Sequence, residues 1–232
     1  MKAMILAAGR GERMRPLTDD CPKPLLTVGG KPIIVWHLER LARAGFRQVV
    51  INHAHLGGML QDVLGDGGAF GLAIIWSAEP AGALETAGGI VKALPLLGNQ
   101  RFLVINGDIV CDWDVARAAA IAAQMAVKDD LAHLVMVPNP PQHPDGDFVL
   151  KDGRVVAGDA SRLTFAGIGI YDPGLFAGLV PGQPAKLAPV LREASAQGRV
   201  SGESHAGRWY DIGTPERLAA VDRELRADAA DV

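Results

Sequence analysis

Cysteine is scarce in this chain: two residues among 232, Cys21 and Cys111. Two thiols build no framework of bridges, so the fold must rest on packing, and a reducing compartment suits it. An excess of positive charge is missing too. The formal net charge is -3, which excludes the basic footprint of a general nucleic-acid binder. Long hydrophobic runs are absent. The longest apolar tract, Val115 to Val127, is broken by Arg117 and Gln124, so no membrane span is expected. The apolar run near the N-terminus is too short for a signal-peptide core and ends in glycines and arginines. A cytoplasmic protein with no membrane and no nucleic-acid partner is the expectation. The two common phosphate-loop signatures are also lacking. No Gly-Lys-Ser/Thr occurs, and the turn after the first apolar run carries Met14 where a dinucleotide fingerprint needs its last glycine.

What is present is apolar residue in quantity, 49% of the chain, enough for a large core. Strand-like runs recur at 3–6, 48–52, 73–76, 102–105 and 133–137. Helix-like stretches lie between them at 32–44, with Pro32 at the first helical position, and at 56–64, 86–94 and 112–127. This alternation predicts the α/β class: a Rossmann-like, mostly parallel sheet flanked by helices. Such sheets bind ligands beyond the carboxyl ends of their strands. After about Val137 the rhythm changes. Prolines mark a loop, and 147–150 and 154–157 flank an Asp-Gly turn as a hairpin. A strand over 163–171, a helix over 186–197, short strands near 199–201 and 208–211, and a last helix from Pro215 complete the pattern. One domain over 1–232 is expected, with a first half to about 137 and a lid or substrate-binding subregion after it, built onto the same sheet.

The chemistry gathers at strand ends. Gly9 and Gly11 let backbone N–H groups face an anion with no Cβ in the way. Arg13, Arg15 and Lys23 add three cations, on a segment stiffened by Pro16, Pro22 and Pro24. That is more charge than one phosphate needs, and it suits a triphosphate; a solvated basic loop is the bland alternative. Asn106-Gly107-Asp108 follows an apolar strand, and a carboxylate there, facing a phosphate loop, is a usual way to hold Mg²⁺. Asn, Gly and Asp are equally turn formers. Asp211, ending a second short strand, permits a metal held by two carboxylates from distant parts of the chain.

These residues carry a resemblance. "LAAGRGERMRPLT" followed by "CPKPLL", then "EPAGALETAGGI", "INGD" and "WYDIGTPE", resemble in order the motifs of the sugar-1-phosphate nucleotidyltransferases, whose fold is GT-A-like. The resemblance implies that UTP and a hexosamine 1-phosphate, N-acetylmuramate 1-phosphate, are the substrates, in cell-wall recycling. GTP with mannose-1-phosphate or dTTP with glucose-1-phosphate are the alternatives, and a nucleotide-sugar sensor the non-enzyme one. It implies catalytic roles for Arg15, Lys23 and Asp108, with Mg²⁺ held by Asp108 and Asp211. It places the nucleotide against Leu6, Ala8, Gly9, Gly11, Glu12, Arg13, Lys23, Glu79, Ala83, Glu85, Thr86 and Asn106. The sugar phosphate is implied to face Asn139, Asp147, Gly167, Ile168 and Lys186. Many relatives carry a mid-chain Glu-Lys-Pro whose lysine binds the sugar phosphate. It is absent here, so the task falls to Lys186. A further acyltransferase domain is not expected. Muramate carries a lactyl carboxylate, for which Arg162, Arg192, His143 and Arg208 are the candidate cations, unranked. A monomer or homodimer is expected.

Overall fold

The computed structural model describes residues 1–80, 84–158 and 161–230. The strands are β1 (Ala3–Leu6), β2 (Thr27–Val28), β3 (Lys31–Pro32), β4 (Gln48–His53), β5 (Ala73–Ala78), β6 (Phe102–Asn106), β7 (Ile109–Cys111), β8 (Ala132–Val137), β9 (Phe148–Lys151), β10 (Arg154–Val156), β11 (Arg162–Tyr171), β12 (Val200–Ser204) and β13 (Trp209–Asp211). The helices are α1 (Ile33–Arg43), α2 (Gly57–Leu64), α3 (Glu85–Leu97), α4 (Ala118–Lys128), α5 (Leu187–Ala196) and α6 (Pro215–Ala230). Among the described residues no helix is long and apolar enough to cross a membrane.

Nine strands form one sheet in the order β5-β4-β1-β6-β11-β8-β12-β10-β9. The first four run parallel, as short strand–helix–strand units require. β11 then enters antiparallel between β6 and β8. The α/β reading holds, but the sheet is mixed rather than mostly parallel, because β11 returns by a hairpin path that strand periodicity does not reveal. β9 pairs also with the start of β11, so the far edge curls back on itself.

Alternation along the central strands splits the core in two. Ala3, Ile5, Val49, Ile51, Leu103 and Ile105 face α1 and α4. Met4, Val50, Phe102 and Val104 face α3 and α5. β13 pairs with β7, and Val221 of α6 packs against Met14, Val28 and Ile33, so the C-terminal elements return to the N-terminal part.

Helix starts depart from the periodicity for local reasons. Pro32 is the N-cap of α1, extended at ψ 143° and paired with Thr27, so the helix begins one residue later. The expected helix from Asp112 is delayed to Ala118, because Cys111 ends a strand and Asp114 caps a separate short 3₁₀ turn at Ala116 N–H. α3 starts at Glu85 and runs through Pro95 to Leu97, past its expected end.

Candidate active site

The strand order reverses direction at β1: β4 lies on one side of it and β6 on the other. Ligands of open α/β sheets bind at such a switch point. The parallel register levels Leu6 with Asn52 and with Asn106, so three strand ends open onto one crevice. A cavity of about 280 Å³ fills it. Its lining includes Leu6, Ala8, Gly9, Lys23, Glu79, Glu85, Thr86, Asn106 and Asp108, nine of the positions singled out in the sequence.

Lys23 is almost buried, and its ammonium donates to Asp108 Oδ2 at 2.5 Å. A buried ammonium needs a countercharge, and Asp108 supplies it. Gly107 allows the turn between β6 and Asp108. Its N–H donates to Leu6 O at 2.9 Å, and a Cβ there would strike that same carbonyl.

Pro24 of the stiffened segment lines the cavity too, as do Asn52 and Ala7, neither of which was singled out in the sequence. Asn52 carries most structural weight. Its Oδ1 accepts from Ala7 N–H at 2.8 Å, and its Nδ2 donates to Glu79 Oε1 at 2.6 Å. It thereby ties the root of the glycine loop to Glu79, just past β5. The available signal was a polar residue near the carboxyl end of an otherwise apolar strand. Gly89 of "ETAGGI" is explained here: a Cβ would collide with Glu79 and Asn52. Glu85 begins α3 at φ 56°, a left-handed conformation that costs a non-glycine residue roughly 1–2 kcal/mol and concentrates at ligand sites. Ala83 lies outside the described residues.

The arginines of the glycine loop are not brought to this cavity. Arg15 is 60% exposed and donates to Asp19 at 2.6 Å, while Arg10 pairs with Glu12. Gly11, Glu12 and Arg13 likewise lie off the lining, because the chain turns away into a short 3₁₀ helix, Glu12–Met14, that buries Met14. The loop's own carboxylates hold Arg10 and Arg15, and contact of either with a ligand would require its pair to exchange.

Asp211 stands beside Asp108. Ile212 N–H donates to Asp108 O at 3.0 Å, and Asp211 is paired with Ile109 across the β7–β13 ribbon. Asp211 is met by Arg217 as Asp108 is by Lys23. Two carboxylates, one just before β7 and one ending β13, each drawing a cation, are a hard-oxygen set that fits Mg²⁺ completed by substrate phosphates.

On the far side, Gly167 adopts φ 76° and lies against the Asn106 side chain, where a Cβ would come within 2.6 Å of Nδ2. Ile168 instead buries its side chain in the core opposite Ile105, so that side chain does not reach the cavity. Asn139 spends its amide on Pro144 O, Arg162 O and Thr164 Oγ1. Asp147 accepts from Phe165 N–H at 2.8 Å and bonds His143. Both therefore hold the 138–147 loop to β11. Lys186 is exposed at the start of α5 and lies off the cavity lining, while its neighbour Ala185 O accepts from Ala87 and Gly88 N–H of α3. Of the four lactyl-carboxylate candidates, Arg162 and Arg192 line a second cavity of about 240 Å³ with Asp147. His143 adjoins it through Asp147, whereas Arg208 is paired with Asp228 of α6.

Behind Asp108, His37 of α1 is fully buried. Burial first, and Arg40 second, push its imidazole from 6.5 down to about 4, against the opposing pull of Asp108.

The nucleotidyl transferase family profile matches residues 2–228. The chain is similar to a Neisseria meningitidis serogroup B protein named N-acetylmuramate alpha-1-phosphate uridylyltransferase, at 58% identity over 94% of this chain and 95% of that one. A Caulobacter vibrioides protein of the same name is 37% identical, over 96% of each chain. A crystal structure described as a glucose-1-phosphate thymidylyltransferase from Bacillus anthracis superposes with a TM-score of 0.86 over 97% of this chain, at 22% identity, and thus shares the fold. The profile match over nearly the whole chain, together with these two near full-length relatives, shows that this chain belongs to the nucleotidyl transferase family.

Proposed function

We propose that the protein transfers the uridylyl group of UTP to N-acetylmuramate α-1-phosphate, giving UDP-N-acetylmuramate and pyrophosphate, in the cytoplasm as part of cell-wall recycling. The observation that carries the substrate choice is the near full-length 58% identity to the Neisseria meningitidis uridylyltransferase. Proteins named mannose-1-phosphate guanylyltransferase stand much further away, at 28%.

A sugar-phosphate oxygen attacks the α-phosphorus of UTP. The bond from that phosphorus to the bridging oxygen breaks, and its electron pair leaves with pyrophosphate. The nucleophile is already an anion, so no Ser, Cys or His nucleophile and no general base is needed. Alignment and charge neutralisation remain as the work of the protein. The glycine-loop backbone and Lys23 face the triphosphate. Glu79, Asn52, Glu85 and Thr86 wall the base end of the cavity, and Gly167 holds Asn106 at the ribose side. Asp108 and Asp211 would hold Mg²⁺. When bound, that ion screens the phosphates and stabilises charge on the transferring group. Lys23 then exchanges Asp108 for phosphate, and Arg15 exchanges Asp19.

A panel of UTP, GTP and dTTP against N-acetylmuramate, N-acetylglucosamine, glucose and mannose 1-phosphates, read by pyrophosphate release, tests the assignment. UTP with the muramate sugar should give the highest kcat/KM. A higher value for any other pair would overturn it.

A further inference from the structure

From the meeting of Cys111 Sγ, an Asp112 carboxylate oxygen and a His205 ring nitrogen, all within 4.8 Å of one another, we infer that the protein carries a second metal site, distinct from the Asp108/Asp211 pair and suited to a thiophilic ion of the Zn²⁺ class. It stands independently of the proposed reaction.

The three donors come from two segments far apart in sequence. Cys111 ends β7, Asp112 follows it, and His205 follows β12. The backbone fixes their approach: Asp112 N–H donates to Arg208 O at 3.1 Å and His205 N–H to Met136 O at 2.7 Å. His205 Nε2 and Asp112 Oδ1 lie 2.7 Å apart. A Cβ at Gly207 would strike both side chains, so the turn is built to let them meet. This is the one group of three such donors among the described residues.

The donor chemistry selects the ion. Thiolate, imidazole and carboxylate with a fourth position open to water match Zn²⁺ or Co²⁺, whereas Mg²⁺ prefers oxygen alone. Around a tetrahedral ion neighbouring donors stand about 3.3–3.5 Å apart, so the Asp112–His205 pair, at 2.7 Å, must open by about 0.6–0.8 Å while the donors, all within 4.8 Å, draw in around the ion. The cysteine is buried and Asp112 is exposed, so the site has a closed sulfur side and an open entrance. Arg40 donates to Cys111 O and Trp113 O. Its charge favours the thiolate and opposes the cation, and the Asp112 and Asp114 carboxylates offset it.

Binding exchanges the thiol proton for the ion: the S–H bond breaks, a metal–sulfur bond forms and the proton leaves to water. Burial first holds the thiol up at about 11, against the Trp113 N–H bond and Arg40. Apparent affinity should therefore rise about tenfold per pH unit through neutrality.

The test is a Co²⁺ titration of the intact protein in saturating Mg²⁺ at pH 7 and pH 8, read by thiolate-to-cobalt charge-transfer absorption. The wild type and Cys21→Ser should show the band, more tightly at pH 8, and Zn²⁺ should abolish it. Cys111→Ala should lose the band, and the better exposed His205→Ala should weaken binding at least tenfold. His205→Ala decides the matter if Cys111→Ala fails to fold. A wild type with no band, a band surviving Cys111→Ala, or an affinity unmoved by His205→Ala overturns the site.

Discussion

Lys23 and Asp108 neutralise each other, yet they are unequally buried: the lysine side chain is 10% exposed and the aspartate 36%. Removing either partner should therefore cost different amounts. Asp108→Asn strands a nearly buried ammonium. Breaking a fully buried pair costs about 3–5 kcal/mol, and the remaining amide acceptor and slight exposure reduce this to about 2–3 kcal/mol. Lys23→Met strands a carboxylate that a third of its surface leaves open to water, costing about 1 kcal/mol. For a chain of this size each kcal/mol moves Tm by about 2–4 °C. Asp108→Asn should then melt about 4–12 °C below wild type and Lys23→Met about 2–4 °C below. The double variant Lys23→Met/Asp108→Asn should recover at least half of the Asp108→Asn loss, because neither charge is left alone. Pyrophosphate release should fall about a hundredfold or more in all three. The assay is thermal unfolding without Mg²⁺ or nucleotide, beside steady-state turnover. The reasoning is refuted if Lys23→Met is the less stable single variant, or if the double variant melts no higher than Asp108→Asn.

Asp211→Asn should lose turnover most at limiting Mg²⁺ and regain part of it at high Mg²⁺; an unchanged Mg²⁺ dependence would remove Asp211 from the metal role. Gly167→Ala forces a Cβ onto Asn106 at positive φ and should cost about 1–2 kcal/mol with a raised KM for UTP, whereas wild-type kinetics would show that Asn106 has no part in nucleotide binding. His37 has a folded pKa of about 4, depressed from 6.5. Its contribution is thus complete above pH 6.5 and lost as pH falls toward 4, up to about 3 kcal/mol. In denaturant unfolding across that window His37→Leu should show a shallower loss than wild type, and parallel curves would contradict the burial argument. N-acetylmuramate 1-phosphate should exceed N-acetylglucosamine 1-phosphate by roughly ten- to a hundredfold in kcat/KM, the worth of one charge-assisted hydrogen bond to the lactyl carboxylate. Arg192→Ala should narrow that gap, and a gap it leaves untouched excludes Arg192 as the reader.

The central strands were legible because each is a short apolar run between turn formers, and nothing in tertiary packing competes with that signal. The Asp152-Gly153 turn was legible for the same local reason. The placement of β11 was not, since an antiparallel strand inserted beside β6 has the same composition as a parallel one. Glu79, Asn106 and Asp108 were expected where strands end, and they line one cavity with Lys23 of the short 3₁₀ turn at 23–25. Asn52 was missed: its role lies in two hydrogen bonds to residues 45 positions before it and 27 after it, which no local pattern records. The pairing of Arg10 and Arg15 was not legible, because the carboxylates that meet them, Glu12 and Asp19, belong to the same loop and show no spacing that sets them apart from solvated neighbours.

Three backbone hydrogen bonds join the segment before α5 to the start of α3: Ala87 and Gly88 N–H to Ala185 O, and Ala185 N–H to Leu84 O. Gly88 leaves no room between them, since a Cβ would lie 2.6 Å from Gln183 O. The cavity wall that holds Glu85 and Thr86 and the segment that carries Lys186 are therefore one unit for purposes of recombination. A chimera that imports residues 183–196 from a relative with another sugar preference, while keeping the resident 84–97, should pair mismatched surfaces and lose selectivity for both substrates. Transplanting the two stretches together is the grafting boundary that this stitch dictates, and an insertion between 180 and 186 should disturb nucleotide choice as readily as sugar choice.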